Sequence, residues 1–202
     1  MRLIVEDLAC VRGGRRVFRG VSCTVGAGEA LLVTGPNGAG KTSFLRLMAG
    51  LLRPAAGSIR LEGHASDVPI GCAAHFVGHL DGVKGALSAA ENLAFVRRLA
   101  GDGSDDVATA LAQLGLAPLA SFPARELSAG QRRRLALARL LVASRPLWLV
   151  DEPTAALDAE GQDIFKTLAE AHLSGGGMLV ATTHAPLRFS QSRDIELGGD
   201  RR

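Results

Sequence analysis

Apolar positions along the chain recur with two different periods, and the changes of period mark its elements. Residues 3–8 and 17–25 alternate apolar and polar positions, the two-residue repeat of half-buried strands, and the turn signal Gly13-Gly14 lies between them. They predict an antiparallel β part at the N-terminus. Residues 30–34 are a short apolar run, as expected of a strand covered on both faces. It leads into the glycine-rich residues 35–40 and a helix expected from Lys41 to about Leu51, where Pro54 and Gly57 end the pattern. Residues 58–61 and 75–78 read as further short strands.

From about Ser88 to Pro118 the pattern becomes helical and rich in Ala and Leu. Ser88 with Glu91, and later Ser128 with Gln131, have the spacing of capping boxes, in which each side chain satisfies an amide at the other's position. A second helix is expected from Ser104 to near Gly115. The Ser128 helix is expected to run through Ala143, with Pro146 as its stop. Residues 147–150 form a buried strand, Asp158 caps a helix to about Leu173, Gly175-Gly176-Gly177 turns the chain, and residues 178–182 make the last core strand. Strands alternating with helices imply an α/β fold with a mainly parallel core sheet and right-handed crossovers. The expected organisation is one domain over residues 1–202, with a helical lobe inserted over about 80–145.

Composition narrows the class. A chain of 202 residues, 47% hydrophobic and 21% charged, can bury a core and is not a disordered segment. A net charge of +3 is too small for the localised basic face of a nucleic-acid binder. The densest basic run, Arg132-Arg133-Arg134, reads as a solvated stretch at a helix start. The three cysteines, Cys10, Cys23 and Cys72, lack CxxC spacing and fit a reducing compartment. Glu6 and Asp7 stand where a secretion signal would be apolar, and no apolar run approaches the ~20 residues of a membrane helix.

The chemistry is concentrated at strand ends. Gly35-Pro36-Asn37-Gly38-Ala39-Gly40-Lys41-Thr42, followed by Ser43, fits the phosphate-binding pattern GxxxxGK[ST] between a buried strand and a helix. Glycines let successive amides turn toward phosphate oxygens, and the helix N-terminus adds partial positive charge. Lys41 is placed to reach the β- and γ-phosphates of ATP, and Thr42 to offer a hydroxyl to Mg²⁺. The strand 147–150 ends in Asp151-Glu152. A carboxylate at Asp151 suits the Mg²⁺ shell, since hard cations take oxygen ligands, and Glu152 then stands ready to polarise the attacking water.

Leu127-Ser128-Ala129-Gly130-Gln131, with Ala156-Leu157-Asp158 and Thr183-His184, resembles the ATP-binding-cassette ATPases over essentially the whole chain. Ala129 replaces the first of two glycines usual in that signature. The resemblance implies an ATPase that works as a homodimer, in which Ser128, Gly130 and Gln131 of one subunit face the γ-phosphate held by the other. It also implies a catalytic role for His184 beside the γ-phosphate. Two positions depart from the family. His79 stands where a glutamine usually offers oxygen to Mg²⁺, and Arg12 stands where an aromatic ring usually stacks on adenine. His79 is expected to act through a water or at the partner interface. Either Arg12 or Phe18 would cover the base.

The segments 33–41, 77–79, 127–140 and 147–153 look like those of ATP-binding subunits of bacterial cytochrome c maturation complexes, the haem exporters. That resemblance implies membrane-spanning partner subunits and a peripheral place on the cytoplasmic side of the inner membrane. An ATP-binding subunit for another cargo shares the same catalytic residues. A cassette acting on ribosomes or DNA would usually carry two cassettes or a long coiled coil, and no heptads interrupt residues 43–127.

Overall fold

The computed structural model describes residues 1–64, 68–101, 106–184 and 187–198. It forms two compact units, one of Met1–Phe76, Pro146–Glu152 and Ala169–Arg202, the other of Val77–Arg145 and Pro153–Leu168.

The first unit holds two sheets. Strands β1 (Arg2–Arg12), β2 (Arg15–Gly26) and β4 (Ala56–Glu62) form an antiparallel sheet in the order β2-β1-β4. Strands β3 (Ala30–Thr34), β5 (Ala74–Val77), β6 (Leu147–Asp151), β7 (Met178–Thr182) and β8 (Ser192–Glu196) form the second sheet, in the order β5-β6-β7-β3-β8. Within it β6, β7, β3 and β8 run parallel. Strands β6 and β7 are buried at every position, as expected of runs that are apolar up to the terminal Asp151 and Thr182. Leu3, Leu8, Phe44, Leu45 and Met48 are buried in the core between strands and helix α1 (Lys41–Met48). Each such side chain contributes about 1.5–3 kcal/mol on leaving water.

Helix α1 ends three residues before the expected Leu51. Gly50 takes φ 71° and the Leu51 amide reaches back to the Arg46 carbonyl at 2.8 Å, the closure of a glycine-terminated helix. Strand β8 was not expected. Its sequence Ser-Arg-Asp-Ile-Glu is mostly exposed, because an edge strand needs charge rather than apolar cover.

The second unit carries α2 (Ala89–Ala100), α3 (Val107–Gln113), α4 (Ala129–Ala138) and most of α5 (Ala159–Ser174). Both expected capping boxes are formed, Ser88 with Glu91 and Ser128 with Gln131. Asp158 caps α5 by accepting from the Gly161 amide at 3.0 Å. The expected start of α3 at Ser104 lies outside the described residues. Helix α4 stops at Ala138 instead of Ala143. There the Leu140 and Leu141 amides bond to Leu137 and Ala138 at 2.9 and 3.1 Å, the tighter three-residue spacing that unwinds an α-helix into turns. Among the described residues no helix is long and apolar enough to cross a membrane.

Candidate active site

Parallel register brings the chemical residues of the first unit to one end of its sheet. Asp151 pairs with Thr182 across β6 and β7, and Val33, two residues before the glycine loop, pairs with Thr182 across β3 and β7. Residues far apart in sequence therefore meet at the carboxyl ends of adjacent strands, where open α/β sheets place ligands.

The loop between β3 and α1 depends on its glycines. Gly35 has φ 132°, and a Cβ there would fall 2.2 Å from the Leu197 carbonyl oxygen. Gly40 has φ 99°, and its Cβ would fall 2.4 Å from Val17 Cγ1. A side chain is excluded at both positions by conformation and by space. Gly40 is also the N-cap of α1, with no side-chain cap and no acid in the first turn. The two capping boxes of the second unit fill their helix starts with side-chain oxygens. Here the first amides and the dipole are left to an external anion.

Lys41 is buried, and its ammonium donates to the Gly35 carbonyl at 2.8 Å and the Pro36 carbonyl at 3.3 Å. It lies 3.0 Å from His184 Nε2. An ammonium has three protons and no lone pair, so the imidazole accepts at Nε2 and carries its own proton on Nδ1. Glu152 Oε1 is 3.5 Å from the same Nε2, too long and with no proton between them in that tautomer. Glu152 instead touches His184 through the backbone, its Oε2 accepting from the His184 amide at 3.3 Å.

Asp151 is buried and accepts a hydrogen bond from each of two hydroxyls, Thr42 at 2.7 Å and Thr182 at 2.6 Å. The Thr182 hydroxyl also accepts from the Glu152 amide at 2.9 Å. Glu152 has φ 49°, a left-handed backbone rare outside glycine, and this fixes the direction of its side chain. Thr182 was missed in the sequence. Its only signal was a hydroxyl at the last position of an otherwise apolar strand.

Lys41, Thr42, Asp151, Glu152 and His184 are thus assembled in the first unit. Ser43 follows in α1. Arg12 is exposed at the β1 end of the hairpin, in register with Arg15. Phe18 does not fit the expected stacking role. It is buried in the core cluster, in a T-shaped contact with Phe44 with centroids 5.9 Å apart, and so is not open to a base.

Ser128, Gly130 and Gln131 lie in the second unit at the start of α4. The Ser128 hydroxyl accepts from the Gln131 amide at 3.2 Å, and Gln131 Oε1 accepts from the Ser128 amide at 2.8 Å. The amides of Ser128 and Gln131 are thereby used, and those of Ala129 and Gly130 lie between them. A Cβ at Gly130 would come 3.0 Å from the Ala156 carbonyl oxygen, so a side chain there would push these two backbones apart by a few tenths of an ångström.

The expectation of a solvated arginine run is overturned. Arg132 donates to the Leu127 carbonyl, Arg133 is 3% exposed, and Arg134 donates to Asp158 at 2.5 Å and Glu160 at 3.3 Å. Bonding to Arg134 holds the exposed Asp158 carboxyl below its ordinary range. Local pattern could not show these partners, because they lie on distant segments. His79 is exposed, just after β5.

Residues 18–155 match the family model described as ABC transporter. That span includes the glycine loop, the capped signature helix and the Asp151-Glu152 pair. The chain belongs to the ABC transporter family. Over 198 residues it is 53% identical to the cytochrome c biogenesis ATP-binding export protein CcmA of Rhodopseudomonas palustris (strain BisB5), covering 98% of both chains. Within the family it therefore belongs with these export proteins. Among solved structures it superposes on an ABC transporter ATP-binding protein from Pyrococcus furiosus with a TM-score of 0.84, at 24% identity over 98% of each chain. A second, with a TM-score of 0.77 and 24% identity over 91% of this chain and 88% of that one, is an ATP-binding cassette in a dimeric post-hydrolysis state with ADP and Pi.

Proposed function

We propose that the chain is the ATP-hydrolysing subunit of a bacterial inner-membrane complex for cytochrome c biogenesis, coupled to haem export or to release of a haem-loaded chaperone. The observation that carries the reading is the Thr42–Asp151–Thr182 bridge. It joins the phosphate loop, the carboxylate strand and the strand leading to His184 into one charged cluster. The likeness to cytochrome c biogenesis ATP-binding export proteins, about half identical over nearly the whole chain, supports the link to cytochrome c biogenesis.

The roles follow from the geometry. Phosphate oxygens replace the Gly35 and Pro36 carbonyls as acceptors for Lys41, while the backbone from Gly35 to Thr42 and the Ser43 amide surround the phosphates. Thr42 Oγ1 and Asp151 Oδ2 are both oxygen donors, a set that fits Mg²⁺, which would neutralise phosphate charge there. His79 contributes through a water or through the partner interface. Glu152 accepts a proton from water as its oxygen attacks the γ-phosphorus and the bond to ADP breaks. His184, proton on Nδ1, keeps Nε2 as an acceptor toward Lys41 and holds Glu152 by its amide. Arg12 lies against the base, offering a planar guanidinium in place of a ring.

Ser128, Gly130 and Gln131 serve the nucleotide of a second copy, making a homodimer closed on two ATP molecules. In the second unit, Leu80, Phe95 and Leu99 are exposed; as apolar contacts for membrane-spanning partner subunits they support a peripheral role at the cytoplasmic side of the inner membrane. Replacing Glu152 by Gln keeps its size and removes its basicity. Turnover should fall at least ~100-fold with ATP binding retained, and dimers should accumulate on ATP. Hydrolysis at the parent rate would overturn the assignment.

A further inference from the structure

The β1–β2 hairpin of the first unit closes on two arginines. Gly13 and Gly14, at φ 55° and 74°, make its two-residue turn, and Arg12 stands directly opposite Arg15. Opposed residues of an antiparallel pair put their side chains on one face, so two guanidiniums lie side by side. Both residues are exposed, and among the described residues neither has a carboxylate partner. Like charges directly opposite each other cost stability, so the sheet itself gives no reason for the pair. The hairpin adjoins the phosphate loop. A Cβ at Gly40 would strike Val17 and Phe18 of β2. On β1, burial raises the pKa of the Cys10 thiol, while the Arg12 charge and a hydrogen bond with the Ser43 side chain hold it down. Arg12 is two residues beyond Cys10 and so on the same face of β1.

The cluster of Thr42, Asp151, Glu152 and His184 marks the γ-phosphate end of the loop. The side that remains for the nucleoside, at Gly40 and Ser43, is the side that the hairpin covers. No aromatic ring of the first unit is open to a base there. Phe18, Phe44, Trp148 and Phe189 are buried, Phe76 packs on the core, and the chain has no tyrosine. A guanidinium only donates hydrogen bonds. Adenine sets an amino donor, N6, beside its N7 acceptor, whereas guanine presents two adjacent acceptors, O6 and N7, at the spacing of an arginine fork. We infer that the Arg12–Arg15 pair selects the base, Arg12 lying over its ring and Arg15 forking to O6 and N7 of guanine, so that the chain binds and hydrolyses GTP at least as well as ATP. This rests on the placing of Arg12 against the base given above. The hydrolysis itself is unchanged, because the phosphate loop and Glu152 meet only the triphosphate. Water adds at the γ-phosphorus, Glu152 takes its proton, and the bond to GDP breaks.

The test measures the full chain with ATP, GTP and 7-deaza-GTP, by equilibrium binding with Mg²⁺ and by phosphate release. GTP should bind as tightly as ATP or tighter, within about twofold at the least favourable, and should turn over at a comparable rate. 7-deaza-GTP, which lacks the N7 acceptor, should bind about fivefold more weakly than GTP. Arg15→Gln should weaken GTP by about fivefold and leave ATP within about twofold. Arg15→Lys keeps the charge and loses the fork, so it should lose the same preference. Arg12→Ala should weaken both nucleotides. All three positions of change are exposed on the hairpin, so the variants fold. ATP bound more than about twofold tighter than GTP by the parent, or a GTP-to-ATP ratio unchanged in Arg15→Gln, would overturn the inference alone. Unchanged affinity for both nucleotides in Arg12→Ala and Arg15→Gln would overturn the placing of Arg12 against the base as well.

Discussion

Thr182→Val removes one oxygen and leaves the shape of the side chain almost unchanged, at a position with no exposure to solvent. Two hydrogen bonds disappear, the one donated to Asp151 Oδ1 at 2.6 Å and the one accepted from the Glu152 amide at 2.9 Å. A bond to a charged group contributes about 1.5–3 kcal/mol, and a buried amide left without its acceptor costs about 1–3 kcal/mol. The added methyl returns something near 0.8 kcal/mol. The net loss is then about 2–5 kcal/mol, a large part of the stability of an ordinary domain. Thr182→Ser keeps both bonds and loses a buried methyl, for about 1 kcal/mol. Urea unfolding of the isolated chain should therefore rank the parent above Ser, and Ser above Val. Turnover should follow the same order, because the hydroxyl fixes both the Asp151 carboxylate and the backbone that aims Glu152. If Val proved as stable and active as Ser, Thr182 would be filling space, and the account of the site as one bridged cluster would fail.

Two further outcomes are expected. Lys41→Ala should weaken ATP binding in its own subunit, whereas Ser128→Arg should leave binding nearly intact and block hydrolysis. Equilibrium binding and ATPase measurements separate these effects, and loss of binding in monomeric Ser128→Arg would contradict the shared site. His172 lies stacked on Trp148 with centroids 3.9 Å apart, and burial holds its pKa below the ordinary 6.5. The unfolded chain takes up that proton first. Stability is therefore full above pH 6.5 and is lost as pH falls through 6.5 toward the lower folded value. Urea midpoints should drop from about pH 7.5 to about pH 5.5, and His172→Gln should remove part of that drop. An identical decline in the variant would show that other groups cause it.

What the sequence made legible was chemistry written in consecutive residues. The glycine loop and both capping boxes each satisfy or expose amides within a few positions of themselves, so spacing alone defines them, and the Asp151-Glu152 pair stands out as two acids ending an apolar run. The buried strands β3, β6 and β7 were equally plain, since a strand covered on both faces has no polar alternation to blur it. Strand β8 was hidden because an edge strand has the polarity of a loop. The expected end of α1 lies too late because Pro54 marks only where a helix cannot continue, whereas the left-handed Gly50 already ends it.

The errors about Phe18 and the arginine run share a cause. Each residue was classified by its own polarity, while its role was set by what faces it in the fold. Phe18 looked available for a base because aromatic rings stack, but Phe44 from α1 occupies it. Arg132-Arg133-Arg134 looked solvated because three consecutive charges usually are. On a helix, however, consecutive residues point about 100° apart, so one short run can address three different neighbours. Arg132 turns back to Leu127, Arg133 reaches Gly78 and Asp81, and Arg134 reaches Asp158 and Glu160. The start of α4 is thereby tied to the loop after β5 and to the loop before α5. On the proposed dimer reading the first amides of α4 meet a second copy's phosphate, and such ties hold them ready for it. An untethered helix start would spend binding energy on being ordered, and a held one spends it on the phosphate.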